Sequence, residues 1–333
     1  MDTLSTAKGI VAITGGSSGI GRATAIHFAQ QGWSVGLIAR GAAGLSAGRS
    51  EVEATGRRGA YATADVADPE QVEQAAASIE AQLGPVDVWV NCAGISFYGK
   101  FLDITEEEFR RITEVTYLGV VNGTRVALRR MKPRNKGSIV NIGSMIAYRG
   151  APLQTPYTGA KYAVRGFTEA LRSELMSEQS GVHLAMVHPA GINTPFFEHA
   201  GARMEGVPKP PPPVYQPELV AEAVYLAATT SRREVMVGGA TVQAAILNKL
   251  APGMLDRAMA WFGVTSQQSH DPAKVARRAP SLYDAPEKAS DVRGPWPAFE
   301  RSAQLAVSKQ RGVVIAGAVL AAAALLLPRV RSH

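Results

Sequence analysis

Residues 9–21 read Gly-Ile-Val-Ala-Ile-Thr-Gly-Gly-Ser-Ser-Gly-Ile-Gly, and this stretch decides the fold. The apolar run Gly9–Thr14 is typical of a buried strand, and the apolar spacing over Arg22–Gln31 is typical of a helix. The glycine-rich turn between them would let the backbone approach a pyrophosphate, which the helix N-terminus could bind through its unpaired N–H groups. Such a turn can also be no more than a turn. Placed between this strand and this helix, it favours dinucleotide binding.

The alternation of strand and helix continues along the chain. Further strand-like runs are Ser34–Ala39, Gly59–Ala64, Val86–Val90, Gly137–Ile142, Val182–Val187 and Glu234–Val237. Segments with helical spacing separate them, among them residues 69–83, 105–131 and 217–228. This order predicts an α/β fold with a doubly wound parallel sheet, in which ligands bind at the carboxyl ends of the strands.

A second informative stretch is Ser144–Lys161. Tyr157 and Lys161 are four residues apart in a segment with helical spacing, so both side chains should project from one face. An ammonium group beside a phenol favours the phenolate, and should lower the tyrosine pKa from about 10 towards the working range of a proton carrier. Ser144 offers a hydroxyl for a substrate oxygen. The pattern indicates acid–base chemistry on a carbonyl or alcohol, whereas the Tyr and Lys taken alone would be an ordinary surface pair.

Together, the glycine-rich turn and the Ser, Tyr and Lys spacing resemble the short-chain dehydrogenase/reductase family. The resemblance covers about residues 7–250 and implies a Rossmann fold, a nicotinamide cofactor and a homo-oligomer. It also implies the catalytic residues Ser144, Tyr157 and Lys161. The cofactor-binding residues that it implies are Gly15, Ser17, Ser18, Gly19, Ile20, Gly21, Arg40, Asp65, Val66, Asn91, Ala93, Gly94, Tyr157, Lys161, Pro189, Gly191, Ile192 and Thr194.

Two positions bear on the choice of cofactor and on proton transfer. Arg40 ends the second strand, where NAD-dependent members of the family usually have an acidic residue. Because a guanidinium can bind a 2′-phosphate bidentately, we expect NADP(H) to be preferred over NAD(H), the alternative being an exposed surface arginine. Thr116 stands where the family usually has an asparagine, which puts in doubt the water chain to the lysine but not the acid–base step.

Composition excludes several classes of protein. The chain has 333 residues, of which 46% are apolar and 19% charged, as in a folded protein. The single cysteine, Cys92, excludes an internal disulfide framework, and the histidines lack ligand-like spacing, so no metal site is predicted. The net charge of +7 suggests a phosphate cofactor or an acidic membrane surface as partner. No basic stripe with interleaved aromatic residues suggests nucleic acid binding.

The chain divides into a predicted catalytic domain, residues 1–262, and a C-terminal extension. Residues 195–213 are expected to form a mobile substrate lid, and residues 263–311 a polar, proline-bearing linker that is poorly ordered. Residues 312–327 lack charged and polar side chains and have basic flanks. They are a candidate membrane anchor, although a helix of this length reaches only about 24 Å against a core of about 30 Å. An interfacial helix and a soluble packing helix are the alternatives.

These patterns favour a cytoplasmic NADP(H)-dependent oxidoreductase, membrane-associated through its C-terminus, that interconverts a carbonyl and an alcohol on a lipophilic small molecule. Residues Met1–Lys8 are polar and lack the apolar run of a secretory signal. In the reduction, Tyr157 would deliver the proton, Ser144 would hold the substrate oxygen, and Lys161 would lower the tyrosine pKa and bind the cofactor ribose. The alternative is a catalytically silent, nucleotide-binding scaffold or redox sensor tethered to a membrane.

Overall fold

A computed structural model of the chain describes residues 7–286 and 288–310. Within this part of the chain, seven parallel strands form one sheet in the order β7-β6-β5-β4-β1-β2-β3. The strands are β1 (Ile10–Thr14), β2 (Ser34–Ala39), β3 (Gly59–Thr63), β4 (Val88–Asn91), β5 (Gly137–Ile142), β6 (Val182–Pro189) and β7 (Glu234–Val237). The strand order reverses beside β1, since β2 lies on one side of it and β4 on the other. The predicted doubly wound α/β fold is confirmed.

Helices connect the strands and cover both faces of the sheet. Their bounds are α1 (Gly19–Gln30), α2 (Ala42–Glu53), α3 (Pro69–Leu83), α4 (Glu106–Thr113), α5 (Gly119–Met131), α6 (Thr155–Ser177), α7 (Pro217–Thr229), α8 (Gly239–Leu250), α9 (Pro252–Phe262) and α10 (Ala303–Lys309). A π-helical turn, Glu114–Leu118, joins α4 to α5. It replaces the middle of the one long helix that the sequence predicts.

The core consists of two layers, one on each face of the sheet. Successive side chains of a strand point to opposite faces, so Val11 and Ile13 pack in the layer that α1, α2 and α7 cover. Ile10 and Ala12 pack in the opposite layer, with α3 and α5. Because both faces are covered, each central strand needs a near-continuous apolar run. This requirement is why the runs could be recognised in the sequence.

The segment after α9 differs from the predicted linker, because residues 263–286 and 288–310 pack against the sheet domain. Gln268–Ser269 pairs antiparallel with Val207–Pro208, within the segment expected to be a mobile lid. Further along, α10 packs against β7 and α7 and buries Leu305. The segment is polar in composition, but its backbone groups find partners on the domain, which composition does not reveal.

The predicted membrane anchor, residues 312–327, lies outside the described residues. Among the residues that the structure does describe, no helix combines the length and the apolar character needed to cross a membrane.

Candidate active site

One continuous cavity of about 570 Å³ lies at the carboxyl ends of the central strands. Its walls include the turn after β1, Arg40 after β2, Ser144 after β5 and the loop after β6. Of the residues that the sequence predicts for the site, all but Asn91 line this cavity. Neighbouring parallel strands end at the same edge of the sheet, which brings together loops that are far apart in the sequence.

The glycine-rich turn is compact, and two of its glycines show why a side chain would not fit. Gly15 has a φ of +70°, and a Cβ there would lie 2.8 Å from the backbone of Ala93. A Cβ on Gly21 would collide with the carbonyl oxygen of Gly15. The Ser18 side chain precedes α1 without capping it, and the first N–H groups of a helix have no intrahelical partner. A close-packed turn that leads into a helix N-terminus fits the pyrophosphate of a dinucleotide.

Ser144, Tyr157 and Lys161 meet at one wall of the cavity. Ser144 lies two residues after the end of β5, and its hydroxyl accepts a hydrogen bond from the Ile146 N–H at 3.2 Å. The Tyr157 side chain, in the first turn of α6, lies near enough to the Ser144 side chain for the serine to affect its pKa. One turn later, the buried Lys161 donates from Nζ to the Ile142 carbonyl oxygen at 2.7 Å. Its Nζ lies 5.6 Å from the centre of the Tyr157 ring.

The protonation states at this wall differ from the sequence argument. Burial raises the pKa of Tyr157 above its ordinary value of 10, the Cys92 thiol raises it further, and the nearby Ser144 side chain opposes both. Burial lowers the pKa of Lys161 to about 8. The lysine lies over the ring face and donates to a backbone carbonyl, and burial penalises the phenolate more than the ammonium favours it. Tyr157 is therefore protonated near neutrality, in the form that can donate a proton.

Cys92 lines the same cavity, but its thiol is unreactive. Burial raises the pKa of its thiol to about 12, with an opposing effect from Lys161. The thiolate is the reactive form of cysteine, and it is scarce at neutral pH when the pKa is this high. Cys92 therefore gives no support to a redox sensor.

Arg40 and Asp65 lie at the end of the cavity formed by β2 and β3. The Arg40 guanidinium donates to the carbonyl oxygens of Ser281 and Tyr283, both at 2.6 Å, and to that of Leu282 at 3.2 Å. Asp65 forms an ion pair with Arg111 and accepts a hydrogen bond from the Ala67 N–H at 3.0 Å. The C-terminal segment thus reaches the residue that the sequence associates with the 2′-phosphate.

Asn91 and Thr116 have partners inside the protein. The Asn91 side chain is buried and donates from Nδ2 to Thr124 at 3.0 Å and to Asn141 at 2.8 Å. The Thr116 hydroxyl donates to the Ile95 carbonyl at 3.0 Å and accepts from the Ile95 N–H at 3.1 Å. Asn91 therefore joins β4 to β5 and α5, and Thr116 joins the π-helical turn to the loop after β4.

Sequence reasoning missed two groups of residues that line the cavity. The first is apolar, and its larger members in α8 and α9 are Leu247, Leu255, Met259 and Phe262. The second belongs to the C-terminal segment and comprises Ser281, Pro286, Lys288 and Ser290. The apolar residues of α8 and α9 do not indicate by their spacing what these helices face. No motif marks the C-terminal residues.

Comparison with known proteins supports this arrangement. A family model described as short chain dehydrogenase matches residues 9–205. The chain is 34% identical over 314 residues to the uncharacterized oxidoreductase YxnA of Bacillus subtilis. This alignment covers 94% of this chain and 88% of that protein. The chain is 36% identical over 192 residues to 3-ketodihydrosphingosine reductase of Bos taurus. This alignment covers 56% of this chain and 57% of that protein.

Solved structures show the same fold with a nicotinamide cofactor bound. Actinorhodin polyketide ketoreductase with NADPH superposes with a TM-score of 0.63 at 27% identity, covering 74% of this chain and 99% of that one. A short chain dehydrogenase from Mycobacterium paratuberculosis bound to NAD superposes with a TM-score of 0.62 at 26% identity, covering 71% and 98%. The chain therefore belongs to the short chain dehydrogenase family and is an oxidoreductase that acts between carbonyl and alcohol groups with a nicotinamide cofactor.

Proposed function

We propose that the protein reduces a lipophilic carbonyl compound to an alcohol with NADPH. The observation that carries this proposal is the position of Ser144 and Tyr157 side by side in one cavity with the glycine-rich turn. The pair offers a proton donor and a hydroxyl at the place where a substrate would meet the cofactor.

The roles of the three side chains follow from their positions. When bound, the reduced nicotinamide supplies a hydride to the carbonyl carbon. Tyr157 donates its phenolic proton to the carbonyl oxygen, and the Ser144 hydroxyl holds that oxygen by a hydrogen bond. Since the pKa of Lys161 is about 8, this side chain is mainly cationic at pH 7 and offsets the negative charge left on the phenol after it has given up its proton.

The apolar wall supports a lipophilic substrate. Leu247 and Leu255 face the cavity from α8 and α9, together with Met259 and Phe262. Apolar pockets of this kind bind apolar ligands, while a few polar groups fix the ligand's orientation. Relatives named 3-ketodihydrosphingosine reductase and 3-dehydrosphinganine reductase bear names that indicate long-chain substrates. They support the same substrate class here.

A panel of 3-keto compounds that differ only in chain length tests this proposal. Oxidation of NADPH by the purified protein should require the keto group. The value of kcat/KM should rise with chain length, because each buried CH₂ contributes up to about 0.8 kcal/mol of binding free energy. A short, polar ketone with the highest kcat/KM would overturn the lipophilic substrate. Absence of NADPH and NADH oxidation with every carbonyl compound would favour the catalytically silent alternative.

The preference for NADP(H) depends on Arg40, and Arg40→Gln is expected to weaken NADPH binding by about 10- to 100-fold. Glutamine keeps a donor for the carbonyls of the C-terminal segment but removes the charge that would bind the 2′-phosphate. NADH affinity should change by no more than about threefold, because NADH has no 2′-phosphate. Fluorescence titration with both cofactors measures the two affinities.

Arg58→Gln is the matched control, since Arg58 also donates to backbone carbonyls, those of Gln82 and Leu83, but does not line the cavity. It should leave both affinities unchanged. Equal losses of NADPH and NADH affinity in Arg40→Gln would show that Arg40 acts only through the folding of its surroundings.

We also propose that residues 312–327 attach a cytoplasmic catalytic domain to a membrane. The full chain should sediment with membranes and resist carbonate extraction, because burial of an uncharged apolar run is favourable and its basic flanks can contact anionic head groups. A chain that ends at Gln310 should stay in the supernatant with unchanged kcat/KM, since it keeps the buried Leu305 of α10. A chain that ends at Leu327 is the control and should still sediment.

Release of the full chain by high salt would indicate an interfacial helix instead. A full chain that stays in the supernatant would refute the membrane attachment.

A homo-oligomer remains a prediction from the family resemblance.

A further inference from the structure

Residues 281–286 and 288–294, here named the clasp, cross the cavity and contact both of its sides. On the first side they meet the glycine-rich turn. The Gly19 N–H donates to the Asp291 carbonyl at 3.2 Å, and Arg22 donates from Nη1 to the Ser290 carbonyl at 2.7 Å. Gly19 is the first residue of α1, so the clasp lies against the helix N-terminus that the site offers to a pyrophosphate.

The clasp continues along the same side to the residues after β2. Three successive carbonyl oxygens, those of residues 281–283, accept hydrogen bonds from Arg40. Arg111 donates from Nε to the Leu282 carbonyl at 3.3 Å. The Leu282 side chain is 8% exposed and packs with Phe97 and Ile112. Two cationic side chains and a buried leucine thus fix this end of the clasp.

On the second side, the clasp meets the loop after β6. The Gly294 N–H donates to the Asn193 carbonyl at 3.2 Å, and the Ser281 N–H donates to the His199 carbonyl at 3.0 Å. The Ser290 hydroxyl lies 3.0 Å from Nε2 of His199. The fit at Gly294 is close, because a Cβ there would lie 2.7 Å from the carbonyl oxygen of Thr194. The clasp therefore bridges the two sides of the cleft.

The clasp forms a wall of the cavity and leaves its interior open. Ser281, Pro286, Lys288 and Ser290 line the same space as Gly19 and Tyr157. The exposed Lys288 adds a positive charge to this wall, which also carries the Arg40 guanidinium with Asp65 and Asp284 near it. The phosphates of a dinucleotide are anionic, so a ligand beneath the clasp would gain favourable electrostatic contacts as well as enclosure.

We propose that the clasp closes over the nucleotide half of the bound nicotinamide dinucleotide, forms part of its binding site and controls its release. A dinucleotide enclosed on both sides can leave only after the hydrogen bonds of the clasp open. The proposal rests on the proposed function, because it requires that the cavity binds this cofactor. It adds a part of the binding site that comes from outside the Rossmann sheet and its glycine-rich turn.

Gly294→Val tests the proposal in the full chain. A valine side chain would collide with the Thr194 carbonyl and detach this end of the clasp from the loop after β6. The dissociation rate of NADPH, measured by stopped-flow fluorescence, should rise by about tenfold or more, the effect expected from losing one or two hydrogen bonds. The far-UV circular dichroism spectrum should stay unchanged.

Gly253→Val is the matched control, because a Cβ on Gly253 in α9 meets no atom within 4 Å. Its dissociation rate should stay within about twofold of wild type. Equal dissociation rates in Gly294→Val and wild type would overturn the proposal. Tighter NADPH binding by Gly294→Val would also overturn it, because the clasp would then compete with the cofactor.

Limited trypsin digestion of the wild-type chain is independent of any substitution. Saturating NADPH should slow cleavage after Lys288 and Arg293 by about tenfold or more, while cleavage after the exposed Lys136 should stay unchanged. NADPH binding without protection of the clasp would refute the proposal for the clasp but not the proposed function. Failure of the wild-type chain to bind either NADPH or NADH would refute the proposed function, and the clasp proposal with it.

Discussion

Tyr157→Phe is expected to lower kcat by about 10²- to 10⁴-fold while NADPH affinity stays within about twofold of wild type. The substitution removes one hydroxyl and keeps the ring that packs 5.5 Å from the ring of Phe196. The proton donor is lost, whereas the glycine-rich turn and the shape of the cavity are retained. Steady-state rates and fluorescence titration with NADPH separate the two effects.

Tyr162→Phe is the control for this prediction, since Tyr162 lies on the same helix with 42% of its surface exposed. It should have the turnover of the wild type. Turnover of Tyr157→Phe within about tenfold of wild type would exclude this hydroxyl as the proton donor. A loss of NADPH binding equal to the loss of turnover would instead place the hydroxyl in cofactor binding.

Lys161→Met is expected to abolish turnover and to stabilise the folded protein at pH 7. The buried ammonium has a pKa of about 8 in the folded state, against an ordinary value of 10.5. The unfolded chain therefore binds this proton more tightly than the folded chain. The resulting penalty on folding is fully present below pH 8 and disappears as the pH rises from 8 towards 10.5.

The shift of the Lys161 pKa corresponds to about 3 kcal/mol, and the lost hydrogen bond to the Ile142 carbonyl offsets about 1 kcal/mol of it. Lys161→Met should therefore raise the free energy of unfolding by about 2 kcal/mol at pH 7, and by less at pH 9.5. Urea denaturation at both pH values measures this difference.

Lys132→Met is the control for the stability effect, because Lys132 is exposed and pairs with Glu178 at the surface. Its effect should stay below about 1 kcal/mol and should not decrease between pH 7 and pH 9.5 as that of Lys161→Met does. A Lys161→Met variant that is less stable than wild type at pH 7 would contradict the penalty assigned to the buried ammonium.

The central strands of the sheet could be predicted because they are buried on both faces. Ser34–Ala39 and Gly137–Ile142 have the bounds read from the sequence, since a buried parallel strand needs an unbroken run of residues that tolerate burial. The edge strand Glu234–Val237, which is half buried, also has the predicted bounds. Asn91 shows the limit of this reasoning. The family resemblance placed it among the cofactor-binding residues, yet its side chain turns into a network of buried polar groups that no local pattern encodes.

Two other features depend on information that side-chain patterns do not contain. The spacing of Tyr157 and Lys161 indicated that they lie close together, but the sign of the tyrosine pKa shift depends on burial. The clasp is bound largely through backbone carbonyls, such as those of Ser290 and Asp291. Every residue has such a carbonyl, so composition described this segment as a polar linker.

The contact between Arg22 and Ser290 also places the completion of the cofactor site late in synthesis. The two residues are 268 positions apart in the sequence. Ribosomes add about 5–20 residues per second, so the glycine-rich turn emerges tens of seconds before the residues that cross it. During this interval, a nascent chain could bind a dinucleotide only through the residues already synthesised, without the clasp. On the proposal that the clasp retains the cofactor, full retention requires a chain that extends through the clasp.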